Sequence, residues 1–381
     1  MELDLTWLLW GLPLAFALGW VASRLDLRQW RIAGRHAPRA YFRGLNHLLN
    51  EQQDQAIDAF IEAVQSDPDT AELHFALGNL FRRRGDYDRA IRVHEHLLAR
   101  SDIGRKDRDR AQHALALDFL KAGLLDRAEA ALVKLEGSDF ESEALLALLS
   151  IYERSRDWPQ ARRVAEKLDL AQPGSFTGRL AHYLCEEADL AQRSGNTLQA
   201  FKLLDEAVAR VPSLARGWMT ISALRSQIGD ANGAFDALLR LADNAPQALP
   251  LAAHNLAELA RKLGREAEAQ RLLEAAHERV PSLDVSEALA SLDPVGLQQR
   301  QRYLDHLRQE PSLVMATRWL EGETFSDAEA RQPVMSALEQ ACGPLKRYRC
   351  AACGFEARQH FWQCPGCQAW DSYPARRVEE L

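Results

Sequence analysis

A chain of 381 residues with 47% hydrophobic side chains has room for two or three domains with ordinary cores. Its formal net charge of −7 excludes nucleic-acid binding spread over the whole surface. Four of its six cysteines lie between Cys350 and Cys367, a clustering that points to a metal site in a reducing compartment and away from a secreted disulfide scaffold.

The first predicted element is Leu5 to Ala22, a stretch without a charged residue. As a helix it would extend about 27 Å, close to the thickness of a bilayer core. Trp7 and Trp10 sit near one end and Trp20 near the other, as an aromatic belt requires. Glu2 and Asp4 precede it, while Arg24, Arg28, Arg31, Arg35 and Arg39 follow it. This asymmetry places the N-terminus outside and the remaining chain in the cytoplasm. A cleaved signal peptide is the alternative, but its leading region would be basic. Gly11, Ala15 and Gly19 share one face at four-residue spacing, which would let another membrane helix approach closely. A homo-oligomer is one use of such a face. Residues 1–22 are thus expected as a transmembrane anchor and 23–36 as a basic segment against anionic headgroups.

From residue 37 to 281 a unit of about 34 residues recurs seven times. With Ala71 as position 1, position 20 is Ala56, Ala90, Ala128, Ala161, Ala200, Ala234 and Ala269. Position 8 is small in six units, among them Gly44 and Gly78. Position 32 is Pro68, Pro173, Pro212, Pro246 and Pro281 in five. Two helices that cross closely need small side chains at the crossing, expected here between positions 8 and 20, and proline stops the second helix. Period and residues resemble the tetratricopeptide repeat (TPR), which implies a mainly α superhelical solenoid of stacked helix pairs. Residues 282–345 read as less regular helix closing the solenoid, with breaks near Pro294, Pro311 and Pro333.

At the C-terminus, residues 346–381 contain Cys350-Ala-Ala-Cys353 and Cys364-Pro-Gly-Cys367. Two such knuckles supply a tetrathiolate site, which accepts iron or zinc, and spacing does not choose between them. So small a module needs the ion for much of its folding free energy. The knuckles resemble rubredoxin, although Gln368 stands where rubredoxin's second turn ends in glycine. Cys185 reads as a buried apolar residue, and His360 as a packed one. Lys346, Arg347, Arg349 and Arg358 interleave with Tyr348, Phe361, Trp362 and Trp370, as in nucleic-acid-binding ribbons, yet Glu356, Asp371, Glu379 and Glu380 offset the charge. No nucleic-acid partner is expected.

No nucleophile elbow, HExxH pair or phosphate-binding glycine loop occurs, so no enzymatic activity is expected. In TPR arrays position 13 faces the groove, and here it is Arg83, Lys121, Arg154, Arg193 and Lys262 in five units. A basic ladder would favour an acidic segment of a partner. The same residues occupy helix ends, where positive charge complements the macrodipole.

The order of membrane helix, TPR array and rubredoxin-like knuckles resembles the lipopolysaccharide assembly protein B family. The stretch from Tyr41 to Glu51, followed by Gln55 to Phe60, looks especially like that family's first repeat. The resemblance implies a single-pass inner-membrane protein, N-terminus periplasmic, that acts as an adaptor in lipopolysaccharide control. Its implied partners are the membrane protease FtsH, the deacetylase LpxC as client, and an antagonistic membrane sensor protein. The metal ligands it implies are Cys350, Cys353, Cys364 and Cys367. Two other functions fit the same sequence: a membrane-tethered TPR assembly factor with other clients, and a rubredoxin-type electron-transfer protein.

Overall fold

Alternating apolar periodicity and turn residues produce antiparallel helix pairs throughout the repeat region. The computed structural model describes residues 13–21, 39–294, 296–325 and 328–381. Residues 13–21 form helix α1, with Leu14, Phe16, Leu18, Trp20 and Val21 exposed. No helix among the described residues is long and apolar enough to cross a membrane. The expected span Leu5 to Ala22 reaches beyond them, as does Gly11. Ala15 and Gly19 lie on α1, and nothing is within 4 Å of a Cβ built at Gly19.

The chain divides into two units, 1–151 and 152–381. The first contains α2 (Arg39–Leu49) with α3 (Gln53–Ser66), α4 (Ala71–Arg84) with α5 (Tyr87–Ala99), and α6 (Arg105–Ala122) with α7 (Leu125–Val133). Helix α8 (Glu141–Ser155) carries the division. The second unit continues with α9 (Trp158–Ala171), then α10 (Thr177–Arg193) with α11 (Thr197–Arg210), α12 (Ala215–Gln227) with α13 (Ala231–Asn244), and α14 (Leu249–Leu263) with α15 (Glu266–Arg279).

The repeat residues account for these boundaries. All seven alanines at position 20 have 0% exposure. In the first two units the atoms nearest a Cβ at position 8 belong to position 24. A Cβ on Gly44 would lie 2.8 Å from the Phe60 ring, and one on Gly78 would lie 2.5 Å from the His94 ring. Glycine is needed because the partner helix spends that space on a large side chain. Each position-32 proline follows a helix that ended two residues earlier, as with α3 before Pro68 and α15 before Pro281. The residue before it is extended, for example Val211 at φ −134°.

Position 15 closes the first helix of every unit in a left-handed conformation: Glu51, Gly85, Gly123, Arg156, Gly195, Gly229 and Gly264. The next residue then donates its N–H back to the helix, as Asp86 does to the Phe81 carbonyl at 2.9 Å. Asp157, Asn196 and Asp230 follow as N-caps, their side chains accepting N–H bonds from the second helix.

Beyond the repeats come α16 (Leu283–Leu292), α17 (Leu297–Gln309), α18 (Leu313–Glu321) and α19 (Ala328–Leu345). Pro294 and Pro311 fall between helices, but Pro333 lies inside α19. The expected break there is absent: Pro333 is exposed, so its ring lies in solvent and the lost backbone hydrogen bond strands no buried group. Strands β1 (Tyr348–Arg349) and β2 (Glu356–Ala357) pair antiparallel, Tyr348 opposite Ala357, and frame the first cysteine knuckle.

Candidate metal centre

The two knuckles are built alike. Gly354 and Gln368, each the residue after a knuckle's second cysteine, adopt φ of 78° and 62°. The turns return Gly354 N–H to the Cys350 carbonyl at 2.9 Å and Gln368 N–H to the Cys364 carbonyl at 2.8 Å. The glycine missing from the second turn has therefore not changed the turn; Gln368 bears a left-handed backbone with its side chain exposed.

These turns aim four thiols at one point. The sulfurs of Cys350, Cys353, Cys364 and Cys367 lie within 4.8 Å of one another. Cys350 and Cys367 are 3.8 Å apart, and Cys353 and Cys364 are 3.7 Å apart. A tetrahedron with metal–sulfur bonds of about 2.3 Å has edges of about 3.8 Å, so the donor set fits a zinc or iron ion. Burial raises the Cys350 thiol, but the Ser372 hydroxyl, 3.2 Å away, and the amides of Cys353 and Ala352 outweigh it and bring the thiol down to about 6. Cys364 is lowered by the matching amides of Cys367 and Gly366 against its own burial. Cys353 receives the Phe355 amide, yet partial desolvation beside the knuckle and the crowding of three other thiols push it up to about 12. Four thiolates at this spacing need a cation between them. Cys350 and Cys364 are buried, whereas Cys353 and Cys367 are exposed.

His360 does not join the cluster. It bonds the Tyr373 carbonyl at 3.0 Å and packs edge-on to Trp362 at 4.7 Å, and its burial lowers its pKa. Cys185 is fully buried, its thiol pushed up to about 12 by desolvation. Cys342 is also buried, 3.3 Å from the Thr317 hydroxyl.

The module is seated on the repeats of its own unit. Trp370 stacks on His182 with centroids 4.7 Å apart and meets Tyr183 and Trp158 edge-on at 5.9 and 6.1 Å. Its indole N–H donates to Glu153 at 3.0 Å, and the same carboxylate oxygen accepts from Tyr183. His182, with 0% exposure, bonds Asp371 at 2.8 Å. Trp362 packs on the core of α12 to α16, while Leu251 packs against Tyr348, Cys350, Cys364 and Tyr373. The aromatics that resemble a nucleic-acid ribbon are thus spent on docking.

The last residues form a second clasp. Arg377 makes a two-pronged pair with Asp284 at 2.9 and 2.7 Å and lies 4.1 Å over the Tyr348 ring. Glu380 accepts the Leu283 N–H at 2.7 Å, and Glu379 accepts the Ser312 hydroxyl at 2.7 Å and the Leu313 N–H. These two glutamates cap the N-termini of α16 and α18. Composition shows them only as charge, and only Ser282 and Ser312 ahead of those helices hint at caps.

Arg83, Lys121, Arg154, Arg193 and Lys262 are all exposed, each in the last turn of its helix. No ion pair engages them among the described residues. Other charges are internal. Asp118 is fully buried between His94 and Arg82, the latter at 2.9 Å, and Arg216 is buried between Glu186 and Asp189 at 3.0 Å each.

Residues 348–373 match the family model described as rubredoxin metal binding domain, and residues 43–102 match the tetratricopeptide repeat model. The chain is 31% identical over 390 residues to lipopolysaccharide assembly protein B of Escherichia coli K12, covering 100% of both chains. It is 27% identical to the protein of that name from Haemophilus influenzae, over 95% of this chain and 96% of the other. Among solved structures, Naa15/Naa10 bound to HypK-THB aligns with 81% of this chain and 47% of its own at 15% identity and a TM-score of 0.45.

Proposed function

Because the chain belongs to the lipopolysaccharide assembly protein B family, we propose that it is a membrane-associated adaptor controlling lipopolysaccharide assembly, with no bond made or broken by the chain itself. One observation carries this reading: the likeness to the Escherichia coli protein leaves no part of either chain outside it. In the finer form of the proposal, Leu5 to Ala22 crosses the inner membrane once, with the N-terminus in the periplasm. The exposed apolar side chains of α1 favour that anchor. Gly11, Ala15 and Gly19 would pack on a partner membrane helix. The repeats hold the deacetylase LpxC near the protease FtsH, which raises the client's effective concentration there, and a membrane sensor protein opposes the process. Cys350, Cys353, Cys364 and Cys367 would hold iron or zinc, and the bound ion supplies fixed tetrahedral geometry to the knuckles. Trp370, Asp371 and Arg377 pass that rigidity to the repeats.

A chain lacking residues 1–22 is expected to fold and retain client binding in pull-downs while the client's half-life in cells lengthens to that of cells without the adaptor. Client turnover at the normal rate would refute tethering. Arg83, Lys121, Arg154, Arg193 and Lys262 are proposed to meet an acidic client segment. Charge reversal at Arg154 and Arg193 should then weaken client capture about tenfold or more with unchanged circular dichroism. Unaltered capture would return these residues to the role of helix-end charges.

A further inference from the structure

The consecutive residues Trp370 to Tyr373 serve two neighbours. Trp370 and Asp371 turn to the repeats: the indole stacks on the His182 ring with centroids 4.7 Å apart, and the carboxylate bonds Nε2 of the same ring at 2.8 Å. Ser372 and Tyr373 turn to the knuckles. The Ser372 hydroxyl lies 3.2 Å from the Cys350 sulfur, and the Ser372 carbonyl accepts the Ala351 N–H at 2.7 Å. The Tyr373 hydroxyl donates to the Phe355 carbonyl at 3.1 Å.

The Ser372 hydroxyl has one proton and two neighbours at the same distance, the Cys350 sulfur and the Ala369 carbonyl, each at 3.2 Å. A thiolate is charged and a carbonyl is not, so the sulfur of an ionised Cys350 takes the proton. That bond lasts only while residue 372 keeps its place, and the two residues before it are held by His182. The ring of His182 is fully buried on α10, and among the described residues its Nδ1 has no hydrogen-bond partner. Its hydrogen bond to Asp371 and its stack on Trp370 therefore tie it to the module, while no hydrogen bond of the ring ties it to its own repeats.

We propose that Ser372 is a positioning residue for the metal centre, and that docking on His182 sets its position. The repeats hold Trp370 and Asp371, these hold the Ser372 hydroxyl against Cys350, and the hydroxyl fixes that sulfur and relieves its charge. The proposal rests on the reading of the four cysteines as a metal site. Coupling of this kind is reciprocal: whatever lifts Trp370 and Asp371 from the repeats weakens metal retention by the factor with which metal binding strengthens docking.

The zinc affinity of the full-length protein, measured by competition with a chelator, tests this. Ser372→Ala is expected to weaken zinc binding about tenfold, and Ser372→Thr, which keeps the hydroxyl, should stay within about threefold of the unaltered chain. His182→Ala, on α10 and outside the module, should also weaken it about tenfold. The double variant should then lose about tenfold, well short of the roughly hundredfold that independent effects would give. In cobalt-loaded protein the sulfur-to-cobalt charge-transfer band should move to longer wavelength in Ser372→Ala and in His182→Ala, because a sulfur without its donor gives up charge more readily. Ser372→Thr should leave the band in place, and a role confined to folding would not move it. If His182→Ala does not fold, Asp371→Asn weakens the same bond from the module side and completes the same cycle. Unchanged affinity in either alanine variant, strictly additive losses, no rescue by threonine, or an unmoved charge-transfer band would each overturn the assignment. An unaltered chain that binds neither zinc nor cobalt would remove the metal site itself, and the proposal with it.

Discussion

A left-handed backbone is required at seven equivalent repeat positions and at both cysteine turns, and glycine does not fill them all. Arg156, Glu51 and Gln368 hold φ of 58°, 59° and 62° with a Cβ present. Each such residue costs about 1 kcal/mol relative to glycine. Gln368 is the clearest case, because its side chain is exposed and the structure gives it no role beyond its backbone. Gln368→Gly is expected to stabilise the metal-loaded module by about 1 kcal/mol and slow metal loss to a chelator severalfold, read by metal release against time. Arg156→Gly should gain less, since it also removes a cation from a helix C-terminus. A faster release from Gln368→Gly would mean that the glutamine side chain supports the site. The reverse logic holds at Gly78, where even a methyl group would enter the His94 ring.

Helices and knuckles differ in how far the sequence reveals them. Ala90 and Pro68 announce a repeat because short-range packing and chain termination leave a periodic trace. Cys350 and Cys364 announce a metal site because ligand spacing is local. Gly44 shows in the sequence only that space is short, not that the Phe60 ring is what lies nearest. Docking leaves no periodic trace at all: Trp370 and Glu153 stand 217 residues apart. Nothing near either residue in the chain marks the pairing; the sequence says only that aromatics in so small a module are more often core or docking surface than a nucleic-acid face. The clasp can be tested at this scale. Trp370→Ala removes the stack on His182 and the bond to Glu153, and should cost about 3 kcal/mol of docking and folding free energy. Glu153→Gln keeps an acceptor for Trp370, so its loss should be smaller, and the two losses should not add. Urea unfolding of both variants and the double variant checks this; strict additivity would mean that Trp370 and Glu153 do not share one contact.

Within the second unit, the module, the tail and the repeats depend on one another. The ion would order the knuckles, the knuckles orient Trp370 and Asp371, and the tail that follows carries Arg377, Glu379 and Glu380 to the caps of α16 and α18. Metal removal should therefore act well beyond the module. Treatment of the metal-loaded protein with a strong chelator is expected to release Trp370 and Trp362 to solvent, seen as a red shift of tryptophan emission. It should also raise hydrogen exchange at the start of α16 and α18, far in sequence from any cysteine, because the glutamates that cap them lose their anchor. Helices α4 and α5 belong to the other unit and share none of these contacts, so their exchange should stay unchanged. Exchange that rises only at residues 348–373 would show that the tail holds its caps without the metal. A rise across every helix would show that the ion supports the whole chain. The first pattern alone, red-shifted tryptophans together with exposed caps at Leu283 and Leu313, places the ion at the head of the chain of contacts that fixes the C-terminal repeats.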